Sequence, residues 1–242
     1  MSTIIEIISI LFLSVFQSIF GIGLLLFGTP LFLYLEYSFI NTLSLLLPTS
    51  ITISLIQFLN CKNIDYKFVK ETNYFCIPML LFFLYITLNF EEIIDFKFWV
   101  SLMLFLSSLV IIFKEKFLSV FDKIFKLRKF VLMFIGIVHG TTNMGGSFLS
   151  IFSSALGGHN KILTRQYISY GYLSMGIIQY IILIALNYSS LNFYYTLYAL
   201  VGLFVYFPSQ KIFNFIVFEI YVRIIGFIAM MFGMALLFSS YA

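Results

Sequence analysis

The chain has 242 residues, 62% hydrophobic and 10% charged, with a mean hydropathy of +1.06. A soluble domain usually carries about 25% charged residues, so this composition describes an integral membrane protein and excludes a soluble domain. The net charge of +4 arises from 14 basic and 10 acidic residues. The basic residues flank apolar segments, which gives no reason to expect nucleic acid as a partner.

No basic residue precedes Lys62. A cleavable signal peptide needs a basic n-region, so the first apolar stretch is expected to stay as a membrane segment. Apolar runs near spanning length, about 20 residues, fall at 4–27, 43–59, 74–90 and 98–113. A second set falls at 130–156, 167–186, 191–207 and 215–238. The predicted fold is an all-α integral membrane protein of about eight transmembrane segments, in two four-segment repeats with broken first helices. The boundaries are 1–113 for the first repeat, 114–129 for a basic linker and 130–242 for the second repeat. Four crossings per half make the halves parallel and put both termini in the cytoplasm. A break that re-enters instead of crossing reverses that assignment.

The first run is interrupted by Gly21, Gly23 and Gly28 and ends at Thr29 and Pro30. Glycine costs a helix roughly 1 kcal/mol against alanine. Inside a membrane a break also frees backbone groups that lipid cannot satisfy, so broken stretches line polar cavities or pack in protein. Pro30 suits the first turn of a restarting helix, and Thr29 before it suits an N-cap. Such a helix start attracts anions. Gln17, one turn before Gly21, offers a donor and an acceptor. Alternatively the stretch is a kink with small residues for close packing.

Lys62, Lys67 and Lys70 follow the second run, and Lys114, Lys116, Lys123, Lys126, Arg128 and Lys129 lie in the linker. The positive-inside rule places both loops in the cytoplasm. Phe117, Val120, Phe121 and Ile124 recur at helical spacing among the linker lysines, as in an amphipathic helix on anionic lipid.

The second break is more polar. His139, Thr141, Thr142, Asn143 and Ser147 surround Gly145 and Gly146, and polar side chains in an apolar segment are costly unless they face one another, water or a ligand. His139 is a candidate proton carrier or anion donor, or a neutral ring bonded across helices. Gly136 and Gly140 form a GxxxG pair that packing explains equally well. A shift of 119 residues sets Gly21 on Gly140 and Asn41 on Asn160, which suggests a duplication. Lys161 and Arg165 follow the break as interface anchors or anion guides. Glu219 and Arg223, four apart, can form an ion pair, with Arg223 as an alternative anion ligand. His159 belongs to a polar turn.

No ATP-binding GxxxxGK[ST] or zinc-protease HExxH sequence occurs, and Gly145, Gly146 and Ser147 lack the second glycine of GxSxG. Cys61 and Cys76 fit no metal or redox spacing. The chain is therefore read as no enzyme, with no cofactor and no metal.

The run from Gln17 through Gly21, Gly23 and Gly28 to Pro30 resembles the first-half signature of the TauE/SafE sulfite exporter family, also called the 4-toluene sulfonate uptake permeases. His139, Gly140, Asn143, Gly145 and Gly146 resemble its second-half counterpart, without a proline matching Pro30. The resemblance implies a secondary transporter of a small sulfur-containing anion in a bacterial inner membrane. It implies Gln17, Gly21, Gly23, Thr29 and Pro30 as one wall of the site, and His139, Asn143, Gly145 and Gly146 as the other. Thr142 and Ser147 join them as polar neighbours, with His139 a candidate for proton coupling. A carboxylate carrier or a membrane scaffold remains the alternative.

Overall fold

The computed structural model describes residues 2–61, 65–112, 127–158, 160–187 and 192–215, with Phe227, Met230, Met231 and Met234. Arg223, Glu219, His159 and linker residues 114–126 lie outside the described residues, as does most of the eighth apolar run. Among the described residues the fold is entirely helical. Four helical stretches are long and apolar enough to cross a membrane: Thr3–Phe20, Phe39–Leu59, Tyr66–Asn89 and Lys161–Leu186.

Helix α1 (Ser2–Phe20) ends at the glycine break and α2 (Leu24–Tyr34) follows it. The chain reverses between them. Phe16 and Phe27 have ring centroids 6.0 Å apart, and a Cβ on Gly28 would lie 3.2 Å from Leu13. In one continuous helix, residues 13 and 28 would stand about 22 Å apart. Gly21 (φ 76°) and Gly23 (φ 147°) make the turn, in conformations that L side chains rarely adopt. The hairpin closes at its far end, where Tyr37 donates to Glu6 at 2.6 Å.

Helix α3 (Phe39–Leu59) starts at the Ser38 cap. Helix α4 (Tyr66–Glu71) passes through a π-helical stretch, Thr72–Cys76, into α5 (Ile77–Asn89), and α6 (Phe96–Ile112) returns. Helix α7 (Arg128–Thr142) and α8 (Gly145–Gly157) form a second hairpin. Phe134 and Phe148 rings lie 5.2 Å apart across it. Asn143, in the left-handed conformation with φ 62°, makes its turn; asparagine is among the few residues that tolerate this. Helix α9 (Lys161–Asn187) leads to a 3-10 segment, Phe193–Tyr198, and to α10 (Ala199–Phe215).

Helices α3 and α9 pack antiparallel at the centre. Phe58 meets Tyr170, and Gly176 meets Ile51. Helix α1 runs parallel to α10, since Tyr198 bonds Glu6 and Gln210 bonds Ser18 O. Helix α7 likewise runs parallel to α5, with Gly136 against Cys76 and Gly140 against Leu80 and Leu84. The close approach at Gly136 and Gly140 bears out the packing reading of that pair.

The two hairpins enter from opposite ends. The open end of α1–α2 lies with Glu36, Glu91 and Lys97, an acidic end where Glu91 accepts from Ile40 N. The open end of α7–α8 lies with Arg128, Glu71, Lys161 and Lys211, a basic end. The first and fifth apolar runs thus each fold back on themselves as hairpins. The broken first helices expected of the two halves reverse direction, which hydrophobic length alone does not signal. Two local expectations fail. The helix restarts at Leu24, straight after the glycines, so Thr29 is no N-cap and Pro30 lies inside α2.

Candidate functional site

The hairpins meet where α2 passes the turn between α7 and α8. Asn143 Nδ2 donates to Thr29 Oγ1 at 2.8 Å, and both residues are buried. Gln179 of α9 donates to Asn143 Oδ1 at 3.3 Å and, at 3.5 Å, to His139 O. His139 is fully buried, edge-on to Tyr172 at 6.2 Å. The His139 ring and the Gln179 side chain face one another, although neither ring nitrogen nor Gln179 Oε1 makes a hydrogen bond of normal geometry. A neutral imidazole has one donor and one acceptor to satisfy. Buried polar atoms left open in this way mark a place for water or a ligand.

The helix start at Gly145 adds backbone donors to the same place. No side chain caps it. Gly146 lies so close to α9 that a Cβ would overlap the Tyr172 hydroxyl, and a Cβ on Gly145 would come within 2.5 Å of His139 Cβ. Thr142 and Ser147 face their own backbone, bonding Val138 O (2.8 Å) and Met144 O (2.7 Å).

Gln17 belongs to the other turn. Its Nε2 donates to Ser50 O and Oγ, both 2.9 Å, and to Ser54 Oγ at 3.1 Å. Gln57 of α3 donates to Gln17 O (3.0 Å) and Ser18 O (3.1 Å), and its Oε1 is unpartnered. Arg165 flanks this turn. Its Cγ would be 3.2 Å from a Cβ on Gly21, while its guanidinium bonds Gln210 at 2.8 Å and stacks on Phe213. Gln17 and Arg165 are therefore not at the Thr29–Asn143 junction. Gly21 and Gly23 shape the first turn, and Pro30 follows Thr29 on α2.

The two turns share one hydrogen-bond pattern. Gly21 N bonds Gln17 O (2.8 Å) as Asn143 N bonds His139 O (3.0 Å). Gln57 reaches Gln17 O as Gln179 reaches His139 O. The caps Ser38 and Asn160 each accept from the amide three residues on. Each of these pairs is separated by 122 residues. The expected shift of 119 does not superpose these two turns. It aligned Gly21 with Gly140 by residue type, but Gly140 packs against α5 inside α7, and the residue at the turn is Asn143.

Gln57, Gln179, Ser50, Ser54 and Tyr172 were not singled out by the sequence. The available signal was Gln57 in α3 and Gln179 among the isoleucines of α9, since polar side chains are rare in apolar helices. Comparison with known proteins gives no match among family models, curated proteins or solved structures.

Proposed function

We propose that this chain is a secondary transporter of a small sulfur-containing anion such as sulfite or an organosulfonate, working outward across a bacterial inner membrane. The observation that carries this reading is the buried junction of Thr29, His139, Asn143 and Gln179. It is rich in donors, open at His139, and built where a half-helix begins. Amide and hydroxyl donors with a helix start bind a small anion without a buried cation. The resemblance of the glycine segments to sulfite exporters supplies the sulfur oxyanion as substrate class.

The repeat reading rests on the shared turn geometry at a spacing of 122 and on the matched pairings of α1 with α10 and α7 with α5. Because the hairpins enter from opposite ends, the halves are inverted. The basic end is cytoplasmic by the positive-inside rule. Inverted repeats holding a site at broken helices support alternating access, with one half moving against the other.

Competition tests the substrate class. Unlabelled sulfite and sulfonates are expected to suppress uptake of labelled sulfite by loaded proteoliposomes, while carboxylates do not. Suppression by carboxylates alone assigns the site to another organic anion.

A further inference from the structure

The two turns carry equivalent polar side chains that are satisfied to different degrees. At the first, Gln17 gives its amide to Ser50 and Ser54, and Ser50 Oγ returns a bond to Gln17 Oε1 at 3.1 Å. The residues 122 further on are His139, Tyr172 and Gly176. A tyrosine and a glycine thus stand in place of the two serines, and no bond of normal geometry closes the His139 ring or Gln179 Oε1.

What the second turn leaves open has a polarity. Gln179 gives its Nε2 hydrogens to Asn143 Oδ1 and His139 O, so the part left over is an acceptor. A neutral imidazole adds one donor and one acceptor. Where the ring N–H meets Gln179 Oε1, the second ring nitrogen remains, and it accepts. Where the two stay apart, acceptors outnumber donors. Donors lie on the other side of Asn143. Its amide has a second hydrogen beyond the one given to Thr29, and Thr29 keeps its own hydroxyl hydrogen. Helix α8 begins beside them, with amides that no carbonyl within the helix takes.

Among the described residues no charged side chain bonds to Thr29, His139, Asn143 or Gln179. Tyr172 of α9 is the titratable side chain that faces His139, and Cys76 faces Met175 one turn from Gln179. A dianion buried here would bring two charges to a cluster with no cation, and no hydrogen for its open acceptor.

Building on the transport reading above, we propose that this junction binds its oxyanion in the singly charged, protonated form, hydrogensulfite rather than the sulfite dianion. The ligand's O–H donates to the acceptor side, at a His139 ring nitrogen or Gln179 Oε1. Its charged oxygens accept from Thr29, Asn143 and the start of α8. The proton that accompanies transport then rides on the substrate, and His139 reads it without carrying it. Sulfonates, which lack the O–H, occupy the same place more weakly and compete only in excess.

Binding to the protein in nanodiscs is measured by calorimetry against pH for sulfite, methanesulfonate and sulfate. Sulfite changes its protonation near neutral pH, whereas methanesulfonate keeps one charge throughout and corrects for titration of the protein. Relative to methanesulfonate, affinity for total sulfite is expected to fall as pH rises, by up to about tenfold per pH unit above neutrality as hydrogensulfite ionises. At the lowest pH methanesulfonate should bind roughly tenfold to a hundredfold more weakly than sulfite, the effect of leaving a buried acceptor unpaired. Sulfate should not bind detectably. His139→Leu with Gln179→Met removes both acceptors and should bring sulfite and methanesulfonate to near-equal affinity. A flat corrected pH series, sulfate bound as tightly as sulfite, or an unchanged preference in the folded double variant overturns the proposal. The pH series needs no variant, so it decides the matter even where the double variant does not fold. Binding is read without flux. Counterflow that fails while the pH series holds sinks the transport reading alone, and a flat series beside working counterflow sinks this inference alone. No binding of any of the three anions sinks both.

Discussion

Asn143 Nδ2 lies 2.8 Å from Thr29 Oγ1, joining the turn of one hairpin to the shaft of the other across 114 residues of chain. The bond needs Asn143 in the left-handed conformation, which aims its amide at α2. A leucine there would lose the bond and strain the backbone, at about 1–2 kcal/mol for the conformation alone. Asn143→Gly should keep the turn and lose only the bond, about 0.5–1.5 kcal/mol. Thermal unfolding in detergent should therefore rank wild type above Asn143→Gly above Asn143→Leu. An Asn143→Leu protein as stable as wild type would mean the turn is not built this way.

Gln57 and Gln179 do the same work at the two turns, with unequal geometry. Gln57 makes two bonds at 3.0 and 3.1 Å, whereas those of Gln179 are 3.3 and 3.5 Å. Replacing each by leucine leaves buried carbonyls without these donors, at roughly 1–3 kcal/mol. The expected order is Gln57→Leu more destabilising than Gln179→Leu, read from melting temperatures. Gln179→Leu should be the one that weakens substrate affinity, because only Gln179 touches Asn143.

Much of this was legible in the sequence, and the failures have physical causes. The polar cluster from His139 to Ser147 stands out because membrane segments carry few polar side chains, and the glycine breaks because clustered glycines weaken a helix. Reversal of direction at Gly21 and Gly23 does not stand out, since residues 4–27 have the length of a single crossing whether they run straight or fold back. The shift of 119 missed the likeness of the two turns because Gly21 and Asn143, different in type, both take the left-handed conformation. Type-for-type alignment chose Gly140 instead. Glu6 hid within an apolar run, and its partners Tyr37 and Tyr198 are 31 and 192 residues away.

Gly146 permits α8 to lie against Tyr172. An alanine there overlaps the hydroxyl, and overpacking of this kind costs about 1–3 kcal/mol. Gly146→Ala is expected to lower the melting temperature, and Tyr172→Phe added to it should restore part of the loss. Absence of any rescue would show that the strain lies elsewhere than at the Tyr172 oxygen.

Arg128 and Glu71 form a largely buried pair. Removing one partner strands the other charge, at about 3–5 kcal/mol. Arg128→Gln or Glu71→Gln should each destabilise strongly, and the exchange Arg128→Glu with Glu71→Arg should recover most of the loss. Equal damage in the exchanged protein would argue against a charge-paired joint between α4 and α7.

The junction of the two hairpins as an anion site is tested most directly by counterflow of labelled sulfite. Purified protein in proteoliposomes preloaded with unlabelled sulfite should accumulate tracer. Asn143→Leu, shown by its elution profile and helical content to be folded, should not. No tracer accumulation in the wild type would contradict sulfite as substrate, and equal accumulation in both proteins would contradict the Thr29–Asn143 junction as its site.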